Sequence, residues 1–176
     1  MLARYRPHGL CPLSGFATAA LLAGCVATFG LSARALVASL FCAVLVLLSA
    51  IDIDRRIVPN RIVIPAAAAV LVAQTLLQPR LEWLLAALGA AAFLLVVALV
   101  NPGGMGMGDV KLALLLGAGL GRAVPLAIVL GLISALVPAL VLVVRHGRGA
   151  RGKGIPFAPF LALGAVVTLF LQGTLG

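Results

Sequence analysis

Long apolar runs follow one another along almost the whole chain, and they restrict the folds that it can adopt. The runs are 13–31, 35–51, 62–77, 81–100, 110–120, 123–144 and 155–171. Hydrophobic residues make up 64% of the 176 residues and charged residues only 10%, whereas ordinary globular domains carry about 25% charged residues. Because a bilayer offers the backbone no hydrogen-bond partners, runs rich in Leu, Ala and Val form helices there. The sequence therefore predicts an all-α, polytopic membrane helix bundle of six to seven spans, in a single domain over residues 1–176.

Three of the runs have unusual features. The fifth, 110–120, is too short to cross a hydrocarbon core of roughly 30 Å at about 1.5 Å per residue, so it must tilt, thin the bilayer or begin below the membrane surface. In the sixth run we expect Pro125 and Pro138 to produce kinks. The first run resembles a signal peptide, and the segment 22–25 resembles a lipoprotein cleavage site. We nevertheless expect the first run to be an uncleaved span.

The basic residues orient the predicted spans. If the N-terminus is inside, three of the thirteen Lys and Arg residues lie outside, namely Arg34, Arg80 and Arg122. The other ten lie inside: Arg4, Arg6, Arg55, Arg56, Arg61, Lys111, Arg145, Arg148, Arg151 and Lys153. This bias follows the positive-inside rule and predicts a multi-pass protein of the cytoplasmic (inner) membrane with a cytoplasmic N-terminus. The net charge of +9 therefore indicates contact with a lipid bilayer, and we expect no nucleic acid partner.

The cysteines indicate neither a metal site nor a disulfide framework. Cys11, Cys25 and Cys42 form no C-x-x-C pair, and their spacing fits no zinc motif. We expect them to act as small apolar residues in or near spans, and we expect no metal and no cofactor.

Two short polar segments between the apolar runs are the candidate functional site. The first covers residues 52–61 and the second covers residues 106–111; between them they hold Asp52, Asp54 and Asp109, three of the four acidic residues. A charge beside a long apolar run is costly, so such residues usually mark function. Both segments fall on the predicted cytoplasmic side, so we expect the bundle to bring Asp52 and Asp109 together.

Two carboxylates in a low-dielectric site support a defined acid–base chemistry. They cannot easily both ionise, so one keeps a proton. The ionised group can take a proton from water while the protonated group polarises an amide carbonyl, which is the division of labour in an aspartic protease. We expect Gly106 and Gly108 to let the backbone bend sharply and approach a peptide closely. From helix dipoles we predict Asp109, at a helix start, as the base, and Asp52, at a helix end, as the acid.

Structural roles are the competing interpretation of the same residues. An Asp at a helix start is often only an N-cap, which applies to Asp109. Asp52 stands near three arginines, as expected of a solvated loop that orients the spans. Asp54 is predicted to pair with a neighbouring arginine, and Glu82 is predicted to pair with Arg80 at the outer surface.

The motifs resemble those of a known family. Asp52 followed by Pro59-Asn60, then Gly106-x-Gly108-Asp109-x-Lys111, is similar to the signature of the prepilin peptidases, or type IV leader peptidases, which are membrane aspartic proteases of the GxGD class. The segment 153–162, which contains Pro156 and Pro159, is similar to a later family element. The resemblance covers residues 40–164.

The resemblance implies a specific reaction and specific residues. Family members remove the basic leader of type IV prepilin-like or pseudopilin precursors, after a glycine, at the cytoplasmic membrane face. The two catalytic aspartates correspond to Asp52 and Asp109, and Asp54 corresponds to a non-catalytic aspartate. The remaining motif residues are expected to position the substrate: Pro59, Asn60, Gly106, Gly108, Lys111, Pro156 and Pro159.

Three alternatives accompany this expectation. An archaeal-type preflagellin peptidase shares the two-aspartate plan, while a proton-coupled carrier and an inactive secretion-system scaffold belong to other classes. Long family members also methylate the new N-terminus through a cysteine-rich domain that precedes the first span. Because only residues 1–10 precede the first span here, we expect no N-methyltransferase activity.

Overall fold

The computed structural model describes residues 11–100, 105–146 and 156–175, and those residues form a helix bundle. A short 3-10 turn, Gly121–Ala123, joins the fifth and sixth helices. No strand occurs in the described ranges, which confirms the predicted all-α class. The seven helices are α1 (Cys11–Phe29), α2 (Ala33–Arg55), α3 (Asn60–Leu77), α4 (Glu82–Val100), α5 (Met107–Leu120), α6 (Val124–His146) and α7 (Ala158–Leu175).

The helices have the length and surface of a membrane protein. Four segments are long and apolar enough to cross a bilayer: Ala33–Arg55, Asn60–Leu77, Glu82–Val100 and Met107–Val141. Shorter apolar helices cover Ser14–Phe29 and Ala158–Thr174. Large apolar side chains such as Leu76 and Val100, each 80% exposed, cover the outside of the bundle, as lipid-facing residues do. The predicted number of six to seven spans stays a prediction.

The short helix α5 lies at the centre of the bundle. Nine of its 14 residues are buried, and it packs against α3, α4 and α7. Its last carbonyl groups would lack intrahelical partners, but the Gln74 side chain donates to the Gly119 carbonyl at 3.2 Å. The Gln172 side chain donates to the Leu120 carbonyl at 3.3 Å. A helix too short to span the membrane is thus accommodated because its neighbours satisfy its end.

The helix ends form two distinct poles. We call the pole with the α2–α3, α4–α5 and α6–α7 junctions the site end, and the other pole the opposite end. At the opposite end, Glu82 pairs with Arg122 and Arg80 at 2.7 and 3.4 Å. This division agrees with the alternation of the predicted spans, although the side of the membrane that each end faces stays a prediction. Arg4, Arg6, Arg148, Arg151 and Lys153 lie outside the described residues.

Two sequence expectations about helix ends are wrong. Asp52 does not close α2, because the helix continues one turn further to Arg55 and ends at Arg56, whose φ of 52° is left-handed. Pro125 does not kink a helix, because it is the second residue of α6. In the first turn an amide has no intrahelical partner, so proline is tolerated there. Pro138 lies inside α6, and the kink expected there stays a prediction.

Candidate active site

Asp52 is a buried carboxylate that links two helices. It lies in the last turn of α2 with only 6% of its surface exposed. Its Oδ2 atom accepts a hydrogen bond from the backbone amide of Ala158, the first residue of α7, at 3.0 Å. The segment 153–162 is one of the motifs found in the sequence, but nothing in its composition identifies one of its backbone N–H groups as the donor to Asp52. The start of α7 therefore holds the Asp52 carboxylate in place.

Asp109 caps its own helix. It is the third residue of α5, and its Oδ2 accepts from the backbone amide of the N-cap residue Gly106 at 3.2 Å. This is half of a capping box; the other half cannot form because glycine has no side chain. The structural role considered from the sequence is therefore real. It occupies one carboxylate oxygen, and no described residue hydrogen-bonds the other.

The bundle brings the two carboxylates together. Asp52 and Asp109 both lie at the site end, near enough for the charge of one to act on the other. Asp109 lies in the first turn of α5, where the helix dipole favours a negative charge. Asp52 lies in the last turn of α2 and also accepts from the first amide of α7, so two helix dipoles act on it in opposite directions. The assignment of Asp109 as base and Asp52 as acid stays a prediction.

Two further contacts join the first and second polar segments. The Lys111 ammonium group donates to the Asn60 side-chain carbonyl at 2.7 Å, across 51 residues of sequence. Gly108 packs against Val58, and a Cβ added at Gly108 would lie 2.9 Å from the Val58 Cβ. Pro59, which is buried, is the N-cap of α3. These contacts fix the start of α5 against the start of α3.

Neither Gly106 nor Gly108 has a positive φ, so neither position needs glycine for a left-handed backbone. The expected bend and the close approach to a peptide stay predictions. Gly108 is instead required by close packing, since real Cβ contacts do not approach 2.9 Å. At Gly106 the nearest atom to an added Cβ would be the Asp109 Oδ2 at 3.8 Å, so this position is open.

The last motif prolines frame the start of α7. Pro156 precedes the helix, and Pro159 is its second residue, where proline is tolerated. The amide that reaches Asp52 belongs to Ala158, which lies between them in the sequence. Residues 147–155, which include Lys153, lie outside the described residues.

The structure also places the residues that were expected to be structural. Asp54 pairs with Arg55 at 3.5 Å, and Glu82 pairs with Arg80 as predicted. Its second and shorter pair, with Arg122, was missed because 40 residues separate the two in sequence. The sulfur atoms of Cys25 and Cys42 lie 3.8 Å apart in the core, as free cysteines.

Comparison with known proteins gives a consistent result. The family model for the type IV leader peptidase family matches residues 39–144. The chain is 35% identical over 167 residues to a prepilin leader peptidase/N-methyltransferase of Bacillus subtilis (strain 168), an alignment that covers 92% of this chain and 66% of that protein. Proteins of the same name from Burkholderia pseudomallei (strain 1026b) and Aeromonas hydrophila are 36% and 32% identical over 168 residues. Those two alignments each cover 90% of this chain, and 54% and 57% of the relatives.

The chain thus spans between about half and two thirds of the length of these curated relatives. No solved structure matches it significantly.

Proposed function

Because this chain belongs to the type IV leader peptidase family, we propose that it is a membrane aspartic endopeptidase. Its substrates would be type IV prepilin-like or pseudopilin precursors, from which it removes the basic leader after a glycine. The observation that carries the proposal is that the last turn of α2, with Asp52, and the first turn of α5, with Asp109, lie at the same end of a membrane helix bundle. Each aspartate is supplied by a different helix and each is held by a backbone amide.

Hydrolysis of a peptide bond by two carboxylates needs one of them ionised and the other protonated. The ionised carboxylate takes a proton from a water molecule, whose oxygen attacks the carbonyl carbon of the scissile peptide bond. The protonated carboxylate donates its proton to the carbonyl oxygen, which yields a neutral tetrahedral intermediate. Collapse of this intermediate breaks the C–N bond: the amine leaves with a proton from the group that acted first as base, and the group that acted first as acid takes a proton back from one hydroxyl of the intermediate. General acid–base catalysis of this kind contributes about 10²–10⁴-fold to a rate.

The remaining motif residues hold the two aspartates in fixed positions relative to each other. The amides of Gly106 and Ala158 hold Asp109 and Asp52 respectively, each through the Oδ2 atom. For Asp109 this leaves the second carboxylate oxygen for water or substrate. The Lys111–Asn60 hydrogen bond ties the start of α5 to the start of α3. We assign these residues, with Pro59, Gly108, Pro156 and Pro159, to positioning rather than to proton transfer.

The proposal includes a location. The site end would face the cytoplasm in a multi-pass protein of the cytoplasmic membrane, where a basic leader is accessible. Single cysteines replacing Arg61 and Arg80 test this orientation, because these residues lie at the site end and the opposite end respectively. The first should react with a membrane-impermeant thiol reagent only after the cytoplasmic face is opened, and the second should react in intact cells. The reverse pattern would contradict the orientation.

The activity is tested by co-expression with a type IV prepilin precursor and mass spectrometry of its N-terminus. We expect loss of the leader, with the new N-terminus directly after a glycine. A precursor that keeps its full mass while the chain is present in the membrane would contradict the proposal. A parallel arm with an archaeal preflagellin precursor separates the nearest alternative, and the same spectra report any methyl group on the new N-terminus.

A further inference from the structure

Two buried thiols lie in contact between the first two helices. Cys25 of α1 and Cys42 of α2 are 0% and 1% exposed, and their Sγ atoms are 3.8 Å apart. Both cysteines are free, so this distance is a contact between thiols and not a covalent bond. Among the described residues, no group of three or more His, Cys, Asp or Glu side chains is placed to hold a metal ion. The sequence predicted small apolar residues here, and the closeness of the two sulfur atoms adds a chemical property that the spacing did not indicate.

Cys25 is also the residue through which α1 enters the core. Among the described side chains of α1, at residues 14–29, it alone is buried. The same half of α1 approaches α7 closely, since a Cβ added at Gly24 would lie 2.9 Å from the Cζ atom of Phe170. The contact between the two thiols therefore lies where α1 is attached to the bundle.

The other half of α1 is less closely attached. Toward the site end, a groove of about 450 Å³ lies between α1, α2 and α7. On the α1 side this groove is lined by Ser14, Ala17 and Leu21. A covalent bond at Cys25 would therefore strengthen the half of α1 that already holds the helix in place.

The two thiols are close enough to form a disulfide after a small rearrangement. An S–S bond is about 2.0 Å long, so the two Sγ atoms would approach each other by about 1.8 Å from their present 3.8 Å. Rotation about χ1 of either cysteine moves its sulfur atom without moving the backbone. The two cysteines are 17 residues apart in sequence, so a disulfide would close a loop that contains the α1–α2 turn.

Burial restricts the oxidant that reaches the pair. Neither sulfur atom is open to water, so a charged or water-soluble oxidant has no route to them. Dioxygen is small and apolar, and it dissolves in lipid. In the reaction the S–H bond of each cysteine breaks and one S–S bond forms. The two protons and two electrons pass to dioxygen, which becomes hydrogen peroxide, so no further side chain is needed.

We propose that Cys25 and Cys42 form an oxidisable dithiol, which dioxygen in the bilayer converts to an intramolecular disulfide that fixes α1 to α2. The inference does not depend on the proposed function. Cys42 precedes Asp52 by ten residues on α2, which is about 15 Å of helix. In the reduced chain α1 is held by packing alone, and in the oxidised chain it is tied covalently to its neighbour.

Counting free thiols in the full chain tests this proposal. Membranes that contain the chain are treated with copper(II)–phenanthroline, which catalyses oxidation by dioxygen, or with dithiothreitol. After removal of the reagent, the chain is denatured and labelled with a polyethylene-glycol maleimide. The chain has three cysteines, so the reduced sample should gain three labels and the oxidised sample one, on Cys11. Three labels after oxidation, or a disulfide-linked dimer on a non-reducing gel, would overturn the inference.

Single substitutions identify the pair. Cys42→Ala should gain two labels with or without oxidation, because Cys25 then has no partner, and Cys25→Ala should behave in the same way. Cys11→Ala should gain two labels when reduced and none when oxidised. Loss of labels on oxidation of Cys42→Ala would mean that Cys25 pairs with Cys11, and this would overturn the assignment.

Thermal unfolding tests whether the disulfide fixes α1. A disulfide restricts the unfolded chain, so oxidation should raise the unfolding midpoint of the purified protein by roughly 5–10 °C. Dithiothreitol should reverse the rise, and Cys42→Ala should show no rise under the same treatment. An unchanged midpoint in a fully oxidised chain would overturn the proposed fixing of α1 to α2.

Discussion

The acidic residues at the two ends of the bundle differ in whether they are paired with basic residues. At the opposite end, Glu82 is neutralised by Arg122 and Arg80. At the site end, Asp54 pairs with Arg55, but Asp52 and Asp109 form no ion pair with any described residue. A carboxylate beside a bilayer without a counter-ion is costly. The comparison separates the acidic residues that form ion pairs from the two that are held by backbone amides instead.

The two ends also differ in the direction of the hydrogen bonds between side chains and backbone. At the opposite end, the side chains of Gln74 and Gln172 donate to carbonyls at the end of α5, so side chains satisfy the backbone. At the site end, the backbone amides of Gly106 and Ala158 donate to side-chain carboxylates, so the backbone positions side chains. The second arrangement fixes two reactive groups without using another titratable residue.

The largest effect is expected at the two unpaired carboxylates. Asp52→Ala and Asp109→Ala should each reduce leader cleavage by about 10²–10⁴-fold, because each removes one partner of the acid–base pair. Glu82→Ala at the opposite end and Asp54→Ala at the site end are the controls, and both should keep most of the activity. Cleavage is measured by mass spectrometry of a co-expressed precursor, with immunoblotting for the amount of chain in the membrane. Substantial cleavage by Asp109→Ala would refute the aspartic-protease mechanism.

The two motif glycines should differ. Gly108→Ala would bring a Cβ to 2.9 Å from the Val58 Cβ, which forces the start of α5 away from the first polar segment. Over-packing of this kind costs about 1–3 kcal/mol, so we expect kcat/KM to fall roughly 10- to 100-fold. Gly106→Ala meets only ordinary contacts and should change kcat/KM by less than about threefold. Equal losses in the two variants would show that the close approach to Val58 is not the reason for the glycine.

Breaking the hydrogen bond between the two polar segments should have a smaller effect on kcat/KM. Lys111→Met removes the donor to Asn60, and Asn60→Ala removes the acceptor. A double-mutant cycle on kcat/KM should give a coupling of about 0.5–1.5 kcal/mol, as expected of one hydrogen bond. Combining Lys111→Met with Arg61→Ala provides the control cycle and should be additive. Full additivity of the Lys111 and Asn60 variants would remove their assigned positioning role.

The smallest effect is expected at the opposite end, and it should appear in stability alone. Gln74→Ala or Gln172→Ala leaves a carbonyl near the end of α5 without its side-chain donor. The loss of one hydrogen bond should lower the free energy of unfolding by about 1 kcal/mol, with cleavage unchanged. Thermal unfolding of purified protein measures the shift. Thr75→Ala is the control, since the Thr75 hydroxyl bonds only within its own helix. Loss of cleavage without loss of stability would show that the two ends are functionally coupled.

Hydropathy and charge, which can be read along the chain, already determine much of this protein. The apolar runs predicted a helical membrane bundle because each segment must satisfy its own backbone in lipid. The succession of apolar runs predicted which junctions share an end, and the basic residues predicted which side of the membrane that end faces. The rarity of acidic residues predicted Asp52 and Asp109 as the candidate pair. All of these are local properties, and they do not depend on how one helix is rotated against another.

Only the tertiary structure decided how these parts meet. The sequence does not show that the Ala158 amide reaches Asp52 across 106 residues, or that Lys111 donates to Asn60. It also gave Gly106 and Gly108 the same role, whereas the approach of Val58 makes only the second of them necessary. Such contacts depend on the rotation and close packing of neighbouring helices, and small residues allow that packing without leaving a periodic signal in the sequence.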